Sequence, residues 1–367
     1  MKKMNVGIIG CGNISSIYFE NLKTFPAVEV TACADLDLGR AKEKAERFGI
    51  AKGCTVAELL ADPEIELVVN LTIPAAHGQV CLDILEAGKH VYVEKPLAVT
   101  REEGQAILAK AEEKGLLVGS APDTFLGGGI QTCIKLITDG WIGTPVAATA
   151  FMMGRGHEHW HPDPEFYYAK GGGPMFDMGP YYLTALVAML GPIKRIAGMA
   201  KISYPERTIT SAKKFGQTIP VETATHVAGV LDFHGGVIGT MITSFDVFGG
   251  SRLPCIEIYG SQGTLVVPDP NTFGGPVTLK RHDSQEWKEI PLSHGYTGNS
   301  RGIGVLDMVY ALKSGRKNRV SGDLGFHVLE AMHAFHDSSE QDRYYIMKSS
   351  CERPEPIPQH LPYGVMD

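Results

Sequence analysis

The sequence predicts an α/β fold followed by an α+β fold: a doubly wound parallel sheet over residues 1–121, then a second domain over residues 122–367. Three observations predict it. Short apolar runs alternate with helix-like stretches along the first third of the chain. A glycine-rich turn joins the first apolar run to the first helix. Beyond residue 121 the alternation stops, and strand-like runs follow one another with the helices set apart from them.

The first part reads in order. Residues 5–10 (NVGIIG) form a short apolar run, as in a strand buried on both faces. A helix-like stretch runs from Asn13 to Lys23, and 28–34 (VEVTACA) is strand-like again. Residues 38–48 (LGRAKEKAERF) read as a helix closed by Gly49, a C′ glycine. A strand at 65–71, a helix at 76–87 closed by Gly88, a strand at 90–93, a helix at 101–114 closed by Gly115 and a strand at 116–120 complete it. Short links of this kind require right-handed crossovers.

In the second part a glycine cluster, Gly127–Gly129, leads a helix at 130–138, and 146–153 is strand-like. A loop rich in His, Pro and aromatic residues follows, then a helix at 181–190. Strands are expected at 196–203, 222–233, 237–245, 255–260, 263–267 and 277–280, and helices at 303–313 and 323–337.

Composition narrows the function. Of 367 residues, 44% are hydrophobic and 20% charged, which suits a globular chain able to bury a core unaided. Lys plus Arg is 34 against 41 for Asp plus Glu, a net of −7, so no nucleic-acid partner is expected. The seven cysteines are odd in number and contain no C-x-x-C, as in a cytoplasmic protein with reduced thiols. The opening MKKMNVGIIGCG imitates a leader, but Glu20 follows with no small-residue cleavage site. The longest uncharged run, Met178 to Ile193, is 16 residues with a proline near each end, so no membrane span is expected.

Four motifs carry chemistry. Gly10-x-Gly12-x-x-Ser15 follows the first strand and opens a helix. One glycine permits the tight turn, and the other lets backbone approach a pyrophosphate lying on the helix N-terminal N–H groups of Gly12, Asn13 and Ile14. Ser15 replaces the third glycine of this fingerprint. Asp35 ends the second strand, 23 residues past Gly12. A carboxylate there accepts bonds from the adenosine ribose and repels a 2′-phosphate, which favours NAD over NADP. The plainer role, capping the next helix, is open to Asp35 and Asp37. Glu94-Lys95-Pro96 follows the strand at 90–93, where ligands of doubly wound sheets sit, so Lys95 can reach both nicotinamide and substrate. In Gly171-Gly-Gly-Pro-Met-Phe-Asp177-Met-Gly-Pro-Tyr181-Tyr182, Asp177 and Tyr181 share a helical face. Pro180 belongs in a first turn, so the helix is expected to begin close to it.

Together these landmarks, with Thr72-Ile-Pro74-Ala-Ala-His77, resemble the Gfo/Idh/MocA family of nicotinamide-dependent oxidoreductases over most of the chain. The resemblance implies a Rossmann domain followed by an α+β domain with an open, mostly antiparallel sheet whose exposed face builds homodimers or homotetramers. It implies oxidation or reduction of a hydroxyl or carbonyl carbon on a sugar, inositol or related polyol. It also places Thr72, Pro74, His77, Glu94 and Lys95 beside the cofactor. Two departures stand out. The family usually has His four residues after the Asp, where this chain has Tyr181, as some branches do. In the neighbourhood of Ser120-Ala-Pro-Asp123-Thr-Phe125 the family often has an Asn and an Arg.

The expected catalytic set is Lys95, Asp177 and Tyr181. Tyr181 is the expected base, its phenolate stabilised by Lys95, with Asp177 orienting substrate or Lys95; Lys95 as proton carrier is the alternative. The loop 154–168 (GRGHEHWHPDPEFYY) is the expected specificity element. There Trp160, Phe166, Tyr167 and Tyr168 can stack on sugar faces, and His157, Glu158, His159 and His161 can bond hydroxyls. Packing of the domain interface is the plainer role of the aromatics. His157, His159 and His161 alternate, but no second ligand motif accompanies them, so no metal is expected. His226 reads as packing or solvent-facing, and His333 and His336 as a solvated or interface face. Two other functions share these landmarks: redox-neutral glycoside cleavage through transient oxidation, and non-catalytic nucleotide sensing.

Overall fold

Parallel strands need crossovers, and the first 120 residues supply five helices to make them. The computed structural model describes residues 2–367. Its first sheet is parallel and ordered β3-β2-β1-β4-β5-β6. The strands are β1 (Met4–Ile9), β2 (Val28–Ala34), β3 (Lys52–Cys54), β4 (Leu67–Asn70), β5 (His90–Val93) and β6 (Val118–Ser120). The crossover helices are α1 (Ser15–Leu22), α2 (Leu38–Phe48), α3 (Val56–Ala61), α4 (Pro74–Glu86) and α5 (Arg101–Lys114). The order reverses between β1 and β4, and this switch point opens the ligand crevice at the strands' carboxyl ends. Gly49 and Gly115 close α2 and α5 in the left-handed region, at φ 63° and 65°, as the sequence predicts. The short β3 and α3 are not among the predicted elements. A capping box announces α3, with Thr55 and Glu58 each bonding the other's backbone N–H.

The second domain is built on a nine-stranded sheet. Its helix α6 (Gly128–Thr138) precedes β7 (Pro145–Met153), and α7 (Gly173–Leu190) precedes β8 (Ile193–Lys201). A two-stranded arm, β9 (Glu206–Thr208) and β10 (Thr218–Pro220), leads to β11 (His226–Phe233), β12 (Ile238–Ser244), β13 (Ile256–Gly260), β14 (Gly263–Val267), β15 (Val277–Arg281) and β16 (Lys288–Ile290). Then come α8 (Ile303–Ser314), α9 (Gly322–Glu340) and the edge strand β17 (Tyr345–Ile346). Only the β7–β12 pairing is parallel; every other ladder is antiparallel. One face of the sheet packs on α7 and α9. The other face carries exposed Met199, Ile238, Val146 and Val230 with nothing over them.

The helix at 181–190 begins eight residues earlier than its predicted start, at Gly173, so Pro180 lies inside it. Proline there removes one ladder bond and crowds the preceding turn. The helix survives because it is buried on nearly every side, and tertiary packing outweighs the local penalty.

The chain's last helices return to the first sheet. The Ser120 N–H donates to the Val320 carbonyl at 2.8 Å, and α9 lies against α5. Asp123 anchors this return: its carboxylate accepts the Gly302 and Gly304 N–H groups at 2.8 and 3.0 Å, capping α8. Burial pushes the Asp123 carboxyl up to about 6, against the pull of those two donors. Asp123→Ala leaves two buried N–H groups unpaired, and a loss of about 2–4 kcal/mol in a urea melt is expected. Asp123→Asn keeps one acceptor and loses less. An unfolded aspartate titrates near ~3.9, so between that value and 6 the native state holds the extra proton and stability falls as pH rises. Asn at 123 flattens that fall.

Candidate active site

The crevice is shaped by what each glycine prevents. Gly10 sits at φ +100°, and a Cβ there would lie 2.6 Å from the Leu71 carbonyl. A Cβ on Gly12 would meet nothing within 4 Å. Among the described residues no acceptor takes the N–H groups of Gly12, Asn13 and Ile14. The Ser15 hydroxyl donates back to the Gly12 carbonyl at 2.6 Å, so serine at the third fingerprint position pins the turn. At the end of β2 the Asp35 carboxylate accepts the Cys11 and Asp37 N–H groups at 2.8 and 2.9 Å. Arg40 is turned onto Asp35, 3.4 Å away. Asp37, not Asp35, caps α2. An open N–H cradle at a helix N-terminus with an anchored carboxylate on the next strand fits a dinucleotide.

On the other side of the switch point Thr72 donates its N–H and hydroxyl to Asn70, and Ile73 and Pro74 are exposed at the start of α4. His77 lies beneath them, 1% exposed. Its ring nitrogens contact the Pro96 carbonyl at 2.7 Å and the Thr72 carbonyl at 3.0 Å, and burial lowers its pKa. His77 therefore ties the Thr72 loop to the Lys95–Pro96 loop and has no free surface with which to touch a ligand.

Lys95, Asp177 and Tyr181 come together. Lys95 Nζ donates to the Asp177 carboxylate at 3.0 Å and to the Asp177 backbone carbonyl at 2.7 Å. It lies 5.3 Å from the centre of the Tyr181 ring. Asp177 and Tyr181 share one face of α7, as their spacing requires. Burial raises Asp177, but Lys95 and His157 outweigh it and hold the carboxyl at about 2. Burial lowers Lys95, but Asp177, Tyr181 and Glu94 outweigh that and keep it charged well above its usual range. For Tyr181 burial wins and raises the phenol, with Lys95 and Arg301 opposing. The resting site thus holds an ammonium, a carboxylate and a protonated phenol.

Glu94 is held by Tyr18, whose hydroxyl donates to it at 2.7 Å, and by the Lys95 N–H at 2.9 Å. Arg301 was not legible in the sequence. Its guanidinium donates to Asn271 and Asn299 at 2.8 and 3.0 Å and lies beside Tyr181. No motif surrounds it, and it reaches the site from the loop before α8.

The loop 154–168 divides. His157 bonds the Asp177 carboxylate at 3.0 Å and accepts the Trp160 indole N–H at 3.2 Å. Trp160 is 55% exposed, with His161 edge-on to it at 5.2 Å. Glu158 and Tyr168 point away from the crevice, into a buried cluster. Tyr168 donates to Glu158, and Arg207 joins Glu158 to Asp246 at 2.7 and 2.8 Å. These two residues anchor the loop and are not available to a sugar. His157 and His161 are engaged separately. Among the described residues no group of three or more His, Cys, Asp or Glu side chains is placed to hold a metal ion. His226 is half-buried and bonded to Ser244. His333 and His336 pack on Phe176, and His333 Nε2 lies 3.0 Å from the Val99 carbonyl, so of the solvated and interface readings the partly buried interface is the one seen.

Comparison with known proteins follows the same lines. Residues 4–121 match "Oxidoreductase family, NAD-binding Rossmann fold", and residues 130–266 match "GFO/IDH/MocA C-terminal domain". The chain is 29% identical over 290 residues to trans-1,2-dihydrobenzene-1,2-diol dehydrogenase of Bos taurus, covering 78% of this chain and 79% of that one. It is 25% identical over 293 residues to levoglucosan dehydrogenase of Pseudarthrobacter phenanthrenivorans, covering 72% and 74%. In fold it matches an NAD binding oxidoreductase from Klebsiella pneumoniae, with a TM-score of 0.83 at 21% identity over 95% of this chain and all of that one.

The open space at Gly12 yields a test. Gly12→Ala adds a methyl that touches no protein atom, so its unfolding free energy is expected within about 1 kcal/mol of wild type. The same methyl enters the cradle, and NAD titration is expected to show affinity weakened by roughly tenfold or more.

Proposed function

The chain belongs to the Gfo/Idh/MocA family of NAD-dependent oxidoreductases, and on that premise we propose that it moves a hydride between NAD and a carbinol carbon of a cyclic sugar or polyol. The observation that carries this reading is the Lys95–Asp177 pair seated 5.3 Å from the Tyr181 ring at the mouth of the crevice. Bound NAD supplies the hydride acceptor, or the donor in the reverse direction.

The chain's own residues do the rest. Gly12, Asn13 and Ile14 offer the pyrophosphate site, and Asp35 the ribose site, with Arg40 already engaged by that carboxylate. Gly10 shapes the turn beside Leu71. Thr72, Pro74 and Glu94 flank the path toward Lys95. Lys95 steadies negative charge on the substrate oxygen as hydride leaves its carbon. Tyr181 holds the proton exchanged with that oxygen, and Asp177 keeps the ammonium charged and aimed. Trp160 leaves half of its ring in solvent while its indole N–H donates to His157, a platform for the apolar face of a sugar ring, with His161 beside it. The relatives named for a cyclic diol and for an anhydrosugar support a ring-bearing hydroxyl compound as substrate.

The assembly proposed is a homodimer or homotetramer through the open face of the nine-stranded sheet. Its support is the set of exposed apolar side chains on that face, Met199 at 79% and Ile238 at 57% among them.

The test is NADH absorbance on mixing protein and NAD with inositols, free sugars, anhydrosugars and cyclic diols. One class is expected to react, and Tyr181→Phe to lose the activity. Silence across the whole panel would sink the reading. The raised phenol also fixes the pH dependence. Oxidation needs Tyr181 without its proton, so its rate is expected to climb about tenfold per pH unit and not level off below pH ~10. Reduction needs the proton in place and is expected to stay flat through neutral pH. An oxidation rate levelling off near pH 7 would remove Tyr181 from the role.

A further inference from the structure

We propose that His157 is a positioning residue for this site, holding the Asp177 carboxylate in a fixed orientation through a tautomer imposed by Trp160. The proposal rests on the reading above that Lys95, Asp177 and Tyr181 are the reacting groups.

A carboxylate has two oxygens, and here each has its own partner. Lys95 takes Oδ1 at 3.0 Å, and His157 Nε2 takes Oδ2 at 3.0 Å. The other ring nitrogen decides what His157 is doing. Trp160 Nε1, which can only donate, points at His157 Nδ1 at 3.2 Å. Nδ1 therefore carries the lone pair, and Nε2 carries the hydrogen, directed at Asp177. The neutral ring satisfies both contacts and needs no charge.

Two consequences follow. His157 Nε2 already bears a proton, so it cannot receive one from Asp177, and the His–Asp contact is not a proton relay. Both nitrogens are used within the protein, so neither is free for a substrate hydroxyl. This replaces the direct substrate contact expected from the sequence.

What His157 supplies is aim. The Lys95 ammonium has three hydrogens, and Asp177 takes two of them through Oδ1 and its backbone carbonyl. With Oδ2 held by His157, the carboxylate is kept from swinging a second oxygen onto the ammonium. The third hydrogen stays free for the substrate oxygen. The ring itself cannot drift: Tyr167 lies 4.0 Å and Phe245 4.8 Å from it, centre to centre. The charged and titratable groups around it are Asp177 from α7, Lys95 from the loop after β5, and Arg155, His159, His161 and Tyr167 from its own loop. Trp160, half in solvent, is the most exposed member of this hydrogen-bonded series. Substrate stacked on Trp160 is thus connected through two hydrogen bonds to the carboxylate that aims Lys95.

Imidazole 15N NMR of the whole protein, with kinetics of His157→Ala, His157→Gln and Trp160→Phe, tests this. The spectrum is expected to show His157 as the Nε2–H tautomer at neutral pH. Trp160→Phe is expected to let the Nδ1–H tautomer appear in the spectrum, because the indole hydrogen no longer occupies Nδ1. His157→Ala is expected to lower kcat by roughly ten- to a hundredfold with NAD affinity unchanged. Glutamine can present an N–H where Nε2 stood, and His157→Gln is expected to recover most of the loss. An Nδ1–H tautomer overturns the proposal. So does a His157→Ala enzyme with raised KM and unchanged kcat, the mark of a substrate contact. Equal loss in Ala and Gln variants with a lowered Tm reduces His157 to a packing residue and also overturns it. The spectrum needs no substrate. A wild type inert on the panel therefore fails the dehydrogenase reading separately, and the tautomer still decides the His157 geometry.

Discussion

The molecule is organised around one ion pair between segments 82 residues apart, Lys95 at the end of β5 and Asp177 in α7. Both side chains are more than four-fifths buried. Desolvating two such charges roughly cancels their attraction, so the pair adds little net stability, but removing either partner strands the other and costs about 3–5 kcal/mol. Its role is therefore one of register. It sets the carboxyl edge of the first sheet against one face of the second domain's longest buried apolar helix. That helix must keep its line for the register to hold, which is why the proline inside it is tolerated and not allowed to break it. The supporting contacts serve the same end. His77 joins the two loops that carry Thr72 and Lys95, Asp123 brings the start of α8 to the junction, and the loop leading into α8 brings Arg301 beside Tyr181.

How much was legible in the sequence follows the range of the interaction concerned. Gly10, Gly12 and Asp35 could be read because their roles are local: a turn, a helix start, a strand end. Asp177 and Tyr181 could be paired because four residues make one helical turn. Lys95 could be placed because the end of a parallel strand has a fixed position in a doubly wound sheet. Arg301 could not, since only tertiary packing brings its loop to the phenol. The inward turn of Glu158 and Tyr168 has the same origin. Read locally they are polar and aromatic residues in a loop. Their partners Arg207 and Asp246 lie 49 and 88 residues beyond Glu158, and only those partners turn them inward. The start of α7 is not legible locally, because proline chemistry alone puts a helix start near Pro180 and only the burial of the whole helix overrides it.

The buried cluster on Arg207 explains how a loop can be both irregular and fixed. Arg207 donates to Glu158, Asp246 and the carbonyls of Arg155 and Phe245, so one guanidinium satisfies two carboxylates and two backbone oxygens. Residues 155 and 158 are thereby held on either side of His157. A loop with no repeating hydrogen-bond ladder obtains its rigidity from a single multivalent donor, and the side chains between the fixed points keep their orientation.

Tyrosine at position 181 changes the starting condition of the site. An imidazole buried beside an ammonium is driven neutral, and near pH 7 it stands ready to take a proton. A phenol in the same place is driven the other way by the same burial. Desolvation disfavours its anion more than Lys95 and Arg301 favour it, so the proton stays. The ammonium and the carboxylate are unaffected by this exchange, because each is fixed by the other. The substitution therefore leaves the ammonium–carboxylate pair in place and alters only whether the proton is present at rest. A site so loaded begins as an acid. In the proposed reaction it protonates an oxygen that receives hydride at its carbon, and must release a proton before that reaction can run the other way.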